Sequence, residues 1–264
     1  KNLSLDFVFP GPTSVSNVPG LPVFLDADLL PDMFVTVVDR DVILARGDVA
    51  ATPVSFACLK PSVDGCNYVS VAETSVGGET IFIERGFVAV DAMIKGDAFR
   101  FVNTHLEVRF PDPSDPLSMG LQALQSTELL VALTANPEPA GSRVVLVGDF
   151  NSDPGDVPPA PFLTPYMQIV SGKAIDNTPI SMPYSDTWLL RPQDEPGLTC
   201  CEDGGLLNAT SEHTRRVDII FSKAAPDKVN ASRVLNTSAD DKTPSGLWPS
   251  DHATVDAMLK FLDR

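Results

Sequence analysis

The sequence is short of positive charge. Its 264 residues carry 19 Lys and Arg against 35 Asp and Glu, a formal net charge of −16. Sequence-independent binding to nucleic acid draws on clustered cations. Nucleic acid is therefore a possible substrate only through a local basic patch or a bridging metal. The densest basic positions are Arg215, Arg216 and Lys223. No run of 18 apolar residues occurs, so there is no candidate transmembrane helix. Trp188 and Trp248 are the only tryptophans. They are too few to build an aromatic surface for entering a bilayer, and Trp188 reads as core or site-rim packing. No second Cys or His pair stands at ligand spacing, so zinc is not indicated. Repeats, low-complexity tracts and clean linkers are also missing.

What is present describes a globular chain. At 43% hydrophobic and 20% charged, it has the composition of a folded protein. Its length suits one domain over residues 1–264, with a Pro-, Gly- and Ser-rich lead-in at 1–33 expected to hold little regular structure. The chain begins at Lys1 without a charged-then-apolar leader, which reads as processing or as a fragment. Cys58 and Cys66 flank a turn-rich stretch and are expected to form a disulfide; the alternative is two buried thiols. Adjacent Cys200 and Cys201 fit ideal bridge geometry poorly, which leaves both a strained vicinal disulfide and two thiols open. Asn2, Asn208, Asn230 and Asn236 each open an Asn-x-Ser/Thr sequon. Disulfide and sequons together point to a secreted glycoprotein.

The pattern is mostly that of strands. Residues 34–38 and 42–46 read as a hairpin around Asp39, Arg40 and Asp41. Further strands are expected at 53–59, 67–73 and 80–84, and a hairpin joins 86–94 to 98–105 through Lys95, Gly96 and Asp97. The clearest helix runs from Ser118 to Ala135, with Leu121, Leu124, Leu129, Val131 and Leu133 at roughly helical spacing and Pro137 beyond its end. Residues 143–147 lack alternation, as a strand buried on both faces does. Two more apolar runs cover 216–221 and 253–262.

The chemistry-bearing residues stand at the ends of these runs. His105 closes one strand and His252 precedes another. An imidazole there sits at the mouth of a core and titrates near neutrality, which suits acid–base work. His213 lies in a polar loop and reads as an ordinary surface or core residue. Asp149 and Asn151 follow a buried strand directly, where a plain turn is the simplest explanation. Asp218 interrupts Val217, Ile219 and Ile220, and burying an unpaired carboxylate is costly. A histidine N–H is its cheapest partner. His105, Asp149, Asn151, Asp218, Asp251 and His252 form a set spread over about 150 residues, the dispersion expected of a site at a sheet rim.

Asn103-Thr104-His105-Leu106-Glu107, Gly148-Asp149-Phe150-Asn151, Arg216-Val217-Asp218-Ile219-Ile220 and Ser250-Asp251-His252 occur in the order found in the endonuclease/exonuclease/phosphatase superfamily, which the chain resembles over roughly 34–264. The resemblance implies an α/β fold, a four-layer α-β-β-α sandwich of two mostly antiparallel sheets. It implies cleavage of a phosphoester with Mg²⁺ or Mn²⁺. His252 resembles the histidine beside the scissile phosphate, oriented by Asp218. Asp149 resembles the acid that activates water, and Asn151 and His105 resemble phosphate-contacting groups. Asp251, with Asp149, resembles a metal ligand. The family's first strands, carrying an Asn and a metal-binding Glu, have no counterpart here, so the chain matches about the C-terminal two thirds of the fold. A preceding fragment or partner chain is expected to supply them. The other reading is a non-catalytic, self-assembling secreted glycoprotein that keeps the fold.

Overall fold

The computed structural model describes residues 5–15, 21–23, 33–35, 38–62, 64–76, 79–109, 116–158, 162–192 and 194–262. The strands are β1 (Leu5–Val15), β2 (Leu21–Val23), β3 (Met33–Val35), β4 (Val38–Arg46), β5 (Ala50–Pro53), β6 (Gly65–Asn67), β7 (Ala72–Val76), β8 (Glu79–Ile83), β9 (Gly86–Ile94), β10 (Asp97–His105), β11 (Arg143–Asp149), β12 (Ser185–Asp186), β13 (Asp218–Ser222), β14 (Lys228–Leu235) and β15 (Thr254–Lys260). Two α-helices, α1 (Pro116–Ala135) and α2 (Pro165–Ser171), accompany them.

A seven-stranded sheet forms the centre, in the order β12-β13-β11-β10-β9-β5, with β6 also on β9. All its pairs are antiparallel except β10 with β11. A parallel pair needs a crossover, and α1 supplies it. The β9–β10 hairpin turns through Lys95 (φ 55°) and Gly96 (φ 95°). Positive φ at both turn residues matches the right-handed twist of the flanking strands.

The two faces of the sheet follow from the period-2 alternation of strand side chains. On β10, Val102 is buried, as is Leu106 just beyond the strand, and both join a core with Leu129, Leu130 and Leu133 of α1. Phe99 and Phe101 stack on the opposite face, where Phe99 meets Phe261, and Asn103 donates to the Val42 carbonyl of β4. A second β layer covers that face, built from the β1–β4 and β14–β15 ladders. The fold is thus α/β with mostly antiparallel sheets and few helices.

The early chain differs from the sequence reading. The lead-in contains strands, and β4 runs unbroken through Asp39, Arg40 and Asp41 instead of turning there. Asp39 and Asp41 tolerate a turn, but β1 offers β4 a longer ladder than a hairpin within 34–46 would, and that ladder wins. The prolines of β1 had pointed to a loop. Its register instead slips between Pro10 and Thr13, where an irregularity tolerates a missing N–H. The expected strands at 53–59 and 67–73 resolve into β5, β6 and β7, and α2 and β14 were not foreseen. Cys58 and Cys66 are bonded and tie the chain before β6 to that strand.

Candidate active site

Backbone register assembles the site. Gly86 pairs with His105 across β9–β10, His105 with Asp149 across β10–β11, and Asp149 with Asp218 across β11–β13. Three residues far apart in sequence therefore stand in one row at one rim of the central sheet.

The loop after β11 explains why Gly148, Asp149 and Asn151 are these residue types. Gly148 has φ 147°, and a Cβ there would lie 1.9 Å from the Thr104 carbonyl oxygen. Only glycine permits β10 and β11 to approach so closely. Asp149 Oδ1 accepts from the Asn151 N–H at 2.8 Å and closes a tight turn. Phe150 is fully buried edge-on against Phe221. Asn151 takes the left-handed conformation at φ 48°, which Asn tolerates better than most residues. Its side-chain amide donates to the Leu106 carbonyl at 2.9 Å and lies 3.3 Å from Asp149 Oδ2. Asn151 thus holds Asp149 and the exit of β10 together.

Arg85, just before β9, was not foreseen. A lone arginine carries no signal, although counting back from the β9–β10 turn places Gly86 opposite His105. Arg85 Nη1 donates to His105 Nδ1 at 2.9 Å and also bonds Asp39 of β4. The ring proton of His105 therefore resides on Nε2, which faces Asp149 Oδ2 at 3.4 Å. Burial, reinforced by Arg85, lowers His105 to about 4, so its ring is neutral at physiological pH. Glu107, also missed, is buried with Oε1 3.5 Å from Arg85, and burial raises its carboxyl.

His252 has the opposite character. Its Nδ1 lies 2.8 Å from Asp218 Oδ2 and 3.9 Å from Asp149 Oδ2. The hydrogen bond to Asp218 raises it to about 9, making it an imidazolium at neutrality. Asp149 rises to about 6, first from burial and then from repulsion by Asp218. The loop from Thr199 to Arg216 supports this pair. Thr199 Oγ1 accepts from the Val217 and Asp218 N–H groups, and Cys200 bridges both Arg215 and His252. Cys200 and Cys201 are disulfide-bonded, with Cys201 Sγ 3.6 Å from His252 Nε2.

The other expected residues stand outside this row, with Asp251 still close enough to add negative charge beside His252. Asp251 is exposed; its backbone carbonyl accepts from Glu202, and its carboxylate is 3.4 Å from the Ser250 hydroxyl. His213 is buried against Glu202 at 3.1 Å, away from the rim row. The basic cluster is internally engaged: Arg215 pairs with Asp156, Arg216 with Asp186 and Lys223 with Glu138. The Asn208 amide donates to Glu202 and Thr210, and Asn236 donates to Thr254. Asn2 and the Asn230 side chain lie outside the described residues.

Ligand atoms of Asp149, Asp218 and His252 lie within 4.8 Å of one another. Two carboxylates this close, one with its proton affinity raised by the other, are the environment a divalent cation relieves. Their hard oxygen donors suit a divalent cation.

Residues 38–252, well over half of the chain, match the model of the Endonuclease/Exonuclease/phosphatase family. No curated protein matches the sequence. Among solved structures, a Bacteroides thetaiotaomicron mannosyl-6-phosphatase is 18% identical with a TM-score of 0.53, covering 84% of this chain and 71% of its own. The human Nocturnin catalytic domain is 19% identical with a TM-score of 0.44, covering 80% and 73%. Caenorhabditis elegans TDP2 in truncated form is 18% identical with a TM-score of 0.42, covering 75% and 68%. The chain, with His105, Asp149 and Asp218 aligned at one sheet rim, belongs to the endonuclease/exonuclease/phosphatase family.

Proposed function

We propose that the protein is a metal-dependent phosphoester hydrolase. The observation that carries this is the convergence of Asp149, Asp218 and His252, whose ligand atoms lie within 4.8 Å of one another, with burial and charge moving Asp149 to about 6 and the bond to Asp218 moving His252 to about 9. At neutral pH Asp149 is mainly a carboxylate and His252 a cation. That is the pairing of general base and general acid such a reaction needs.

In this reading Asp149 accepts the proton of the attacking water. His252, held through Nδ1 by Asp218, presents Nε2 to a phosphate oxygen and donates its proton to the leaving group. His105, neutral and protonated at Nε2, donates toward Asp149 and fixes its orientation. Arg85 supplies positive charge behind His105. Asn151 keeps the Asp149 loop in register. Asp149 with Asp218 would hold the divalent cation, Mg²⁺ or Mn²⁺, which neutralises charge on the phosphoryl oxygens. In this reading a further segment or a partner chain supplies any remaining cation ligand. Disulfide and sequons support a secreted protein.

The test is hydrolysis of bis(p-nitrophenyl) phosphate and p-nitrophenyl phosphate with Mg²⁺, with Mn²⁺ and with EDTA, in native protein that includes any co-purifying fragment. Cation-dependent turnover that falls by about 10²–10⁴-fold in His252→Ala is expected. Turnover unaffected by EDTA, or a loss below tenfold in His252→Ala, would overturn the reading. Absence of turnover on every phosphoester tried would favour the non-catalytic glycoprotein.

A further inference from the structure

We propose that reduction of the Cys200–Cys201 disulfide creates a binding site for one thiophilic divalent cation, Zn²⁺ or Cd²⁺, formed by the two thiolates and His252 Nε2. Ligand atoms of these three residues already lie within 4.8 Å of one another. Cys201 Sγ stands 3.6 Å from His252 Nε2. A zinc ion with Zn–S of about 2.3 Å and Zn–N of about 2.1 Å at a tetrahedral angle requires a separation of about 3.6 Å. The sulfur and nitrogen are therefore already at ligand spacing, and the second sulfur reaches the ion by side-chain rotation once the S–S bond is broken. The sequence conceals this arrangement because His252 lies far downstream of the cysteines. The Cys200–His252 and Cys200–Arg215 bridges bring the strands together.

The surroundings fit a soft cation. His252 gives its other ring nitrogen to Asp218 at 2.8 Å, the carboxylate–histidine arrangement that orients an imidazole ligand and raises its basicity. Cys200 is buried and fixed by its backbone, while Cys201 is exposed and offers the entry path. The donor set is two sulfurs and one nitrogen, which discriminates against Mg²⁺. It differs from the oxygen donors of Asp149 and Asp218. His252 is common to both, so a cation on its Nε2 occupies the atom that the proposed hydrolysis presents to phosphate. Only that last consequence rests on the proposed function; the binding does not.

The chemistry balances. A phosphine reductant takes the disulfide to two thiols and becomes the phosphine oxide, with water supplying the oxygen and both thiol protons. Cation binding then displaces one proton from each thiol, and His252 binds through a deprotonated Nε2.

The test uses the full chain, reduced with a water-soluble phosphine, freed of it, and titrated with Cd²⁺. The expected result is a thiolate-to-cadmium charge-transfer absorption that saturates at one ion per chain. It should be absent in the oxidised protein, lost in Cys201→Ser and accompanied by a shift of the His252 ring signals in NMR. Asp218→Asn should weaken binding about 10- to 100-fold. No absorption after reduction would overturn the proposal. Undiminished uptake in Cys201→Ser would assign the ion to Cys58 and Cys66 and overturn it as well, as would uptake that leaves the His252 signals unmoved. The wild-type NMR measurement decides the matter even if Cys201→Ser does not fold. Loss of phosphoester hydrolysis on loading is a separate readout, and its absence would count against the proposed function and not against the binding site.

Discussion

The side-chain amide of Gln122 donates to the backbone carbonyl of Asn151 at 2.6 Å. The same amide nitrogen donates to the Glu107 carbonyl at 2.9 Å, and its oxygen accepts from Arg109. One fully buried glutamine on α1 thus fastens the two loops that follow His105 and Asp149. Gln125 repeats the device one turn on, accepting from the Glu107 N–H and donating to the Ser70 carbonyl.

Gln122→Met should therefore lower stability and activity together. It leaves two buried carbonyls without their donor, a loss of about 1–3 kcal/mol for each unsatisfied group. Urea denaturation should show a lower midpoint with an unchanged slope. An unchanged midpoint would mean that water replaces the amide.

On the proposed function, the His252–Asp218 pair should set the alkaline limb of activity. His252 donates only while protonated, so the rate should fall as pH rises through about 9. Asp218→Asn removes the main cause of the raised value. The limb should move toward lower pH, with a lower plateau, in a pH profile of initial rates. A limb that stays in place would sever His252 from Asp218 functionally.

His105 should make the fold acid-sensitive. Its folded value near 4 lies below the ordinary 6.5, so the unfolded chain binds the proton more readily between those values. Stability should decline as pH falls from 6.5 toward 4 and then level with respect to this group. His105→Gln should flatten that slope in denaturation midpoints measured across the same interval.

Gly148→Ala should fail to assemble the site. The added methyl meets the Thr104 carbonyl, which belongs to a neighbouring strand and has no room to move. Loss of cooperative thermal unfolding, or a large fall in melting temperature, is expected.

Reduction of Cys58–Cys66 should cost about 2–3 kcal/mol, the loop-closure entropy of a bridge with a sequence separation of 8. Cys58→Ala/Cys66→Ala compared with wild type in urea isolates this bridge from Cys200–Cys201.

The sequence by itself determined the strands and helix whose periodicity is local. β9, β10, α1 and β11 lie within a few residues of their expected limits because alternation, helical spacing and a Lys-Gly turn are short-range signals. It also singled out His105, Asp149, Asp218 and His252, since a polar residue at the edge of an apolar run is visible without coordinates. Only the tertiary structure decided what those residues do to one another. Arg85 fixes the tautomer of His105 through a register that spans a hairpin. Asp251 turns to solvent although it adjoins His252, and Arg215 and Arg216 are consumed by acids about 30 to 60 residues away. β1 pairs with β4 despite its prolines because the gain comes from a distant ladder. Proton affinities, ion pairing and ligand geometry depend on distance and burial, which a chain acquires only when remote segments meet.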